Sequence, residues 1–219
     1  MERENLPSLI GAAIGDMLAA FSINGSAITG LAAQTAIGSY LKRRFEQARD
    51  ILIDEFRKAK IDKLNVESED ELGGVLFRYF SAIRENKARL NLRLMAKVMA
   101  GQATRDRLYT EDFFRYADIL SMLSRAEVLA IMLLHKTKLE GDFVNCEELW
   151  RVLVTVAVPK YFLTDEHLRA ALTSAMRSGL VITPPTFDDA GFFTTSPLVE
   201  EIADLADFED ALRQESGVG

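Results

Sequence analysis

Cys146, His135 and His167 are the side chains with the chemistry for a nucleophile and its base, or for a metal centre. A thiol beside an imidazole would lose its proton to the ring and attack a carbonyl as thiolate. The three fall on separate predicted helices, however. Cys146 also enters the first turn of a helix leading into Leu149 and Trp150, where a small inert thiol is the common occupant. One cysteine and two distant histidines lack the paired spacing that organises a tetrahedral zinc site. No catalytic residue and no metal ligand is assigned.

Gly25-Ser26-Ala27-Ile28-Thr29-Gly30 has the two-glycine spacing of a phosphate loop. Leu31-Ala32 then stand where a Lys would reach the phosphates and a Ser or Thr would hold Mg²⁺, so the pattern fails at its decisive positions. No cofactor is expected. Acid pairs such as Glu200-Glu201 read as the solvated face of a helix.

Cationic side chains offer a different chemistry, contact with phosphate oxygens. Arg84, Lys87, Arg89, Arg93, Lys97, Arg105 and Arg107 face only Glu85 and Asp106 in the middle of a chain whose formal net charge is -7, and the end of the chain is strongly acidic. Arg89, Arg93 and Lys97 recur every four residues, one stripe of a helix. That stripe either pairs with the acidic C-terminal helix or contacts anionic lipid or nucleic acid. Farther on, Arg169, Thr173 and Arg177 share a helix face that could lie against DNA. Two arginines are thin electrostatics, and Asp188-Asp189 in the following hairpin would repel phosphate.

The elements that must position these groups begin with an unusual segment. Between residues 5 and 41 the only charged side chain is Asp16, and Gly11, Gly15, Gly25, Gly30 and Gly38 punctuate Ala, Ser, Leu and Ile before Lys42-Arg43-Arg44. It reads as two small-residue helices, 8–23 and 27–40, parted by Asn24-Gly25-Ser26. Residues 17–41 form a marginal transmembrane candidate. Gly11 and Gly15 make a Gly-x-x-x-Gly step that lets helix backbones approach closely. Either the segment is buried inside an oligomer or against the next helix, or it meets a membrane with Lys42, Arg43 and Arg44 as the cytoplasmic anchor. Both readings predict association.

Leu41, Phe45, Ala48, Leu52, Phe56 and Ala59 then mark an amphipathic helix over 40–60. Ser68-x-x-Glu71 opens another, a third runs 87–100 to a stop at Gly101, and Thr110 begins a fourth. From Ser124 the pattern changes. Ser124-x-x-Glu127, Asn145-x-x-Glu148 and Thr164 cap three helices, the last ending at Gly179. Leu180–Thr183 and Phe192–Thr195 form a hairpin, and Ser196-Pro197 opens one acidic helix to about Leu212. The expectation is a mostly α chain: a Gly/Ala-rich segment over 1–41, a helical bundle over 42–123, and a winged-helix-like module over 124–219.

Phe113–Leu134, with Arg177-Ser178-Gly179-Leu180-Val181 and Phe193-Thr194-Thr195-Ser196-Pro197-Leu198, resembles bacterial abortive-infection proteins of the Abi-alpha type. The resemblance covers roughly residues 110–206 and implies a role in phage defence, without carrying over any functional residue.

Cys146 alone excludes a disulfide within the chain, and Met1-Glu2-Arg3-Glu4 lacks the positive start of a secretory signal. The expectation is a cytoplasmic, non-enzymatic protein associated with the inner face of a membrane. It would self-associate as a homo-oligomer and use its C-terminal module on a protein partner. A DNA-binding regulator is the alternative.

Overall fold

Apolar side chains every three or four positions from Phe45 onward dictate a helix with one buried face, and α1 (Leu31–Lys58) buries Phe45, Ala48, Ile51, Leu52 and Phe56 along it. The structure is a computed structural model that describes residues 10–12, 15, 31–61, 68–84, 89–105, 108–184 and 191–216. Within these the chain is mostly helical, with one small antiparallel sheet. It divides into two units, Met1–Ser121 and Met122–Gly219.

In the first unit, α1 runs without interruption through Tyr40, where the composition changes and a new helix was expected to begin. It ends in a Schellman turn: Ile61 N–H donates to the Phe56 carbonyl and Lys60 N–H to the Arg57 carbonyl, both at 3.0 Å. Lys60 takes the left-handed conformation there, φ 57°. Glycine relieves that strain, so Lys60→Gly is expected to raise the stability of this unit by about 1 kcal/mol in urea titration.

Ser68 accepts a hydrogen bond from Glu71 N–H at 3.2 Å and opens α2 (Glu69–Arg84). Its Leu72, Val75, Leu76, Tyr79, Phe80 and Ile83 are buried. A Cβ placed on Gly74 would sit 3.4 Å from the Phe114 ring, at van der Waals contact. Next, α3 (Arg89–Arg105) passes through Gly101 instead of stopping at it, and every residue from Leu90 to Ala100 is buried. A helix buried on all sides is the centre of its unit, and α1 and α2 pack on it. The last helix of the first unit is α4 (Thr110–Met122), whose final residue already belongs to the second.

Caps read from the sequence set the second unit. Ser124 and Glu127 form a reciprocal capping box at the start of α5 (Arg125–Glu140). Asn145 accepts from Glu148 N–H at α6 (Cys146–Ala157), and Thr164 from His167 N–H at α7 (Asp165–Ala175). α7 leads through a 3₁₀ turn to Gly179 at φ 75°, which ends it. Strands β1 (Val181–Ile182) and β2 (Thr194–Thr195) pair Val181 with Thr195 and Ile182 with Thr194. The strands are shorter than the expected hairpin, whose residues 185–190 lie outside the described residues.

The expected single acidic helix is two, α8 (Pro197–Leu205) and α9 (Phe208–Ser216). Ala206 turns extended between them, and Asp207 Oδ1 accepts the Asp210 N–H at 2.9 Å, so Asp207 caps a new helix. Buried on most sides, α5 is the centre of this unit, with α6, α7 and α9 packed on it.

Candidate functional site

Close packing against the rest of the chain does not explain Gly11, Gly15 or Gly38. Gly11, Gly15 and Gly38 are exposed, and a Cβ on any of them meets nothing within 4 Å. These three glycines therefore make no close approach to the chain, while Ile10 next to Gly11 is buried. Gly25 and Gly30 lie outside the described residues. Lys42 and Arg43 are exposed and Arg44 is half-buried, while Phe45 is the first buried side chain along α1 from Gly38 onward. Among the described residues no helix is long and apolar enough to cross a membrane.

The basic stripe is not a surface. Arg89 is exposed, but Arg93 and Lys97 are only 8% and 7% exposed, and both turn to Glu55 on α1. Arg93 Nε lies 3.4 Å from Glu55 Oε1 and Lys97 Nζ 3.2 Å from Oε2. Lys58 Nζ reaches Oε1 at 3.2 Å from the solvent side. The Arg93 approach is an ion pair without hydrogen-bond geometry, since its Nε has no hydrogen-bond partner among the described residues. Both expected uses of the stripe, pairing with the acidic C-terminal helix and contact with phosphate, are thus corrected for Arg93 and Lys97. A buried carboxylate from the preceding part of the chain already compensates them.

Tyr79 belongs to the same interior. Its hydroxyl donates to the Ala48 carbonyl at 3.0 Å. Burial, reinforced by the Glu55 charge and opposed by Arg93, pushes the phenol far above its ordinary value and keeps the proton in place for that bond.

In the second unit the two arginines expected to face DNA are both committed to the protein. Arg169 lies 4.4 Å over the Trp150 ring and donates to the Gly191 carbonyl at 2.7 Å. Arg177 forms a two-pronged ion pair with Glu127, and donates to the Met122 carbonyl at 2.9 Å and to Ser174 at 2.6 Å. Of the proposed DNA-facing trio, only Thr173 is an exposed side chain without such a role.

His135 and Cys146 line different concavities. Cys146 is half-buried in a depression with Asp142, Phe143, Asn145 and Leu149. His135 is buried, stacks edge-on with Phe208 at 5.7 Å, and lines a groove of about 430 Å³ with residues of α5, α8 and α9. Burial, then the Lys138 charge, lower the imidazole below its ordinary value against the opposing pull of Glu200 and Asp204. His167 is instead part of the Thr164 cap. No group of three His, Cys, Asp or Glu among the described residues could hold a metal ion.

Sequence reasoning missed Glu55 and the groove. Glu55 falls on the apolar side of α1, next to Phe56, which is a signal for a buried acid. The groove depends on the break before Phe208, and Asp207-x-x-Asp210 carried the cap signal for it.

Comparison with protein-family models, with curated proteins and with solved structures returned no match.

Proposed function

We propose that this chain is a non-enzymatic interaction protein that self-associates and engages an anionic membrane surface through its N-terminal segment. The observation that carries the reading is the exposure of Gly11 and Gly15, together with an exposed Gly38 and Lys42-Arg43 pair on the first turns of α1. Small residues with open space above them let a second helix backbone approach. The adjoining cations suit anionic headgroups at the surface.

The second unit reads as a winged-helix-like module, from its order of three helices, a short strand pair and two closing helices. With Arg169 and Arg177 engaged inside the unit, it is read as a protein-recognition element rather than a DNA reader. The resemblance to Abi-alpha proteins is consistent with an effector used in phage defence in the bacterial cytoplasm.

Vesicle flotation and light scattering on the full-length protein test this. Each basic side chain near an anionic surface contributes about 1 kcal/mol, so Lys42→Gln with Arg43→Gln is expected to weaken partitioning onto phosphatidylserine vesicles roughly thirtyfold. Gly11→Leu with Gly15→Leu is expected to lower the oligomer mass in solution. Vesicle binding and mass that both match the wild type in these variants would sink the proposal.

A further inference from the structure

The turn between α8 and α9 interrupts a stretch that reads locally as one helix. Leu198, Ile202, Leu205 and Phe208 recur every three or four positions across it, and neither glycine nor proline occurs after Pro197 as far as Ser216. The backbone turns extended at Ala206, φ -116° and ψ 113°, although alanine is the residue most favourable to a helix. Asp207 favours the break, because it caps α9 by accepting the Asp210 N–H at 2.9 Å. The rest of what holds the turn lies outside it, in what α9 touches.

Those contacts centre on α5, on which α9 packs. Phe208 is 8% exposed and stacks edge-on with His135 at 5.7 Å, Ala211 is fully buried, and Lys136 Nζ holds Glu209 at 3.0 Å. Both members of that ion pair are partly open to solvent, which limits its strength. Beside them a groove of about 430 Å³ stays open between α5, α8 and α9, with Leu139 71% exposed at its edge. The face on α5 thus takes a helix of known chemistry, an aromatic side chain, then an acid, then a small residue two positions on. A second copy of the chain carries the same Phe208, Glu209 and Ala211.

We propose that two copies of this chain exchange α9. Ala206 and Asp207 turn helical, α8 and α9 join into one helix from Pro197 to Ser216, and the nine residues of α9 extend ~14 Å beyond α8 onto α5 of the second copy. The exchange is reciprocal, so each α5 keeps an occupant of the same chemistry and the pair closes about a two-fold axis. In the joined helix the N–H groups of the first turn of α9 reach carbonyls of α8, partners that a helix start lacks. One chain alone has either the continuous helix or Phe208 seated on its own α5, whereas two copies have both. This contact is separate from association through Gly11 and Gly15.

The test incubates unlabelled and heavy-nitrogen full-length protein together at high concentration, isolates the associated fraction by size, and couples Lys136 to Glu209 with a zero-length carbodiimide. Their 3.0 Å approach places this amide within one chain in the monomer and between chains in the exchanged pair. Mass spectrometry is expected to find Lys136–Glu209 peptides with one light and one heavy half in the associated fraction and none in the monomer, a readout that needs no variant to fold. Asp207→Ala removes the cap and supplies a helix former, so it is expected to tighten the pair at least about tenfold. Asp207→Pro is expected to abolish it, because Ala206 already has the extended backbone that precedes a proline and a proline breaks the joined helix. Gly11→Leu with Gly15→Leu is expected to leave the mixed peptides in place, which separates this contact from the N-terminal one. An associated fraction without mixed peptides, no associated fraction at all, an Asp207→Ala protein that pairs no better than the wild type, or mixed peptides that persist in Asp207→Pro overturns the proposal.

Discussion

Replacing Glu55 with leucine is expected to destabilise the first unit by about 3–5 kcal/mol, the largest effect of any single substitution considered. Glu55 is 3% exposed and is the carboxylate facing both Arg93 and Lys97. Removing it leaves two cations in the interior with their water already stripped away. The loss is therefore the cost of buried charge deprived of the carboxylate it faces, greater than the worth of the ion pairs themselves. Glu55→Leu combined with Arg93→Met and Lys97→Met is expected to recover most of the stability, because apolar side chains of similar volume need no compensation. Urea unfolding followed by helical circular dichroism, with amide exchange on α3 to localise the change, reads both proteins. A Glu55→Leu unfolding curve that overlays the wild type would show that the cluster is not held by charge.

Acid should open the second unit through Glu127. Burial by itself raises this carboxyl, but hydrogen bonds from Arg177, then from Ser174 and Ser124, outweigh it and hold it at about 2 against an ordinary value of 4.5. The folded value lies below the unfolded one. Its stabilisation is complete above pH 4.5 and is lost as pH falls from there through about 2. The difference corresponds to on the order of 3 kcal/mol, reduced to roughly 2 kcal/mol because Arg177 is half-exposed and screened. Arg177→Met should lower stability at neutral pH and flatten the acid limb. Trp150 is the one tryptophan of the chain and lies in this unit, so its fluorescence isolates the transition. An acid limb for Arg177→Met that superimposes on the wild type would refute the assignment.

Local chemistry was legible at several caps and at one stop, though not at Gly101, which α3 passes through, nor at Asp207. Ser124 with Glu127, Asn145, Thr164 and Gly179 all stand where their side chains or backbone freedom demanded. Long-range compensation was not. Arg93 and Lys97 repeat at the spacing of an exposed stripe, and only the fold brings Glu55 to them. Composition also misled at Tyr40, because a switch from small apolar to amphipathic residues changes what a helix touches without changing its backbone. Within the candidate site, His135 was visible as a titratable residue, but its groove needed the turn at Ala206 and Asp207. A helical apolar pattern of Leu198, Ile202, Leu205 and Phe208 continues across that turn and conceals it.

The unbroken course of α1 has a mechanical consequence. At 1.5 Å per residue, its 28 residues form a rod of about 42 Å, and about 25 Å separates Gly38 from Glu55. No joint interrupts that length. A grip on the outer end, whether by a second copy or by a lipid surface, acts as a lever whose inner arm is the carboxylate seated against Arg93 and Lys97. Torque applied at Gly38 would arrive at the buried carboxylate that faces Arg93 and Lys97.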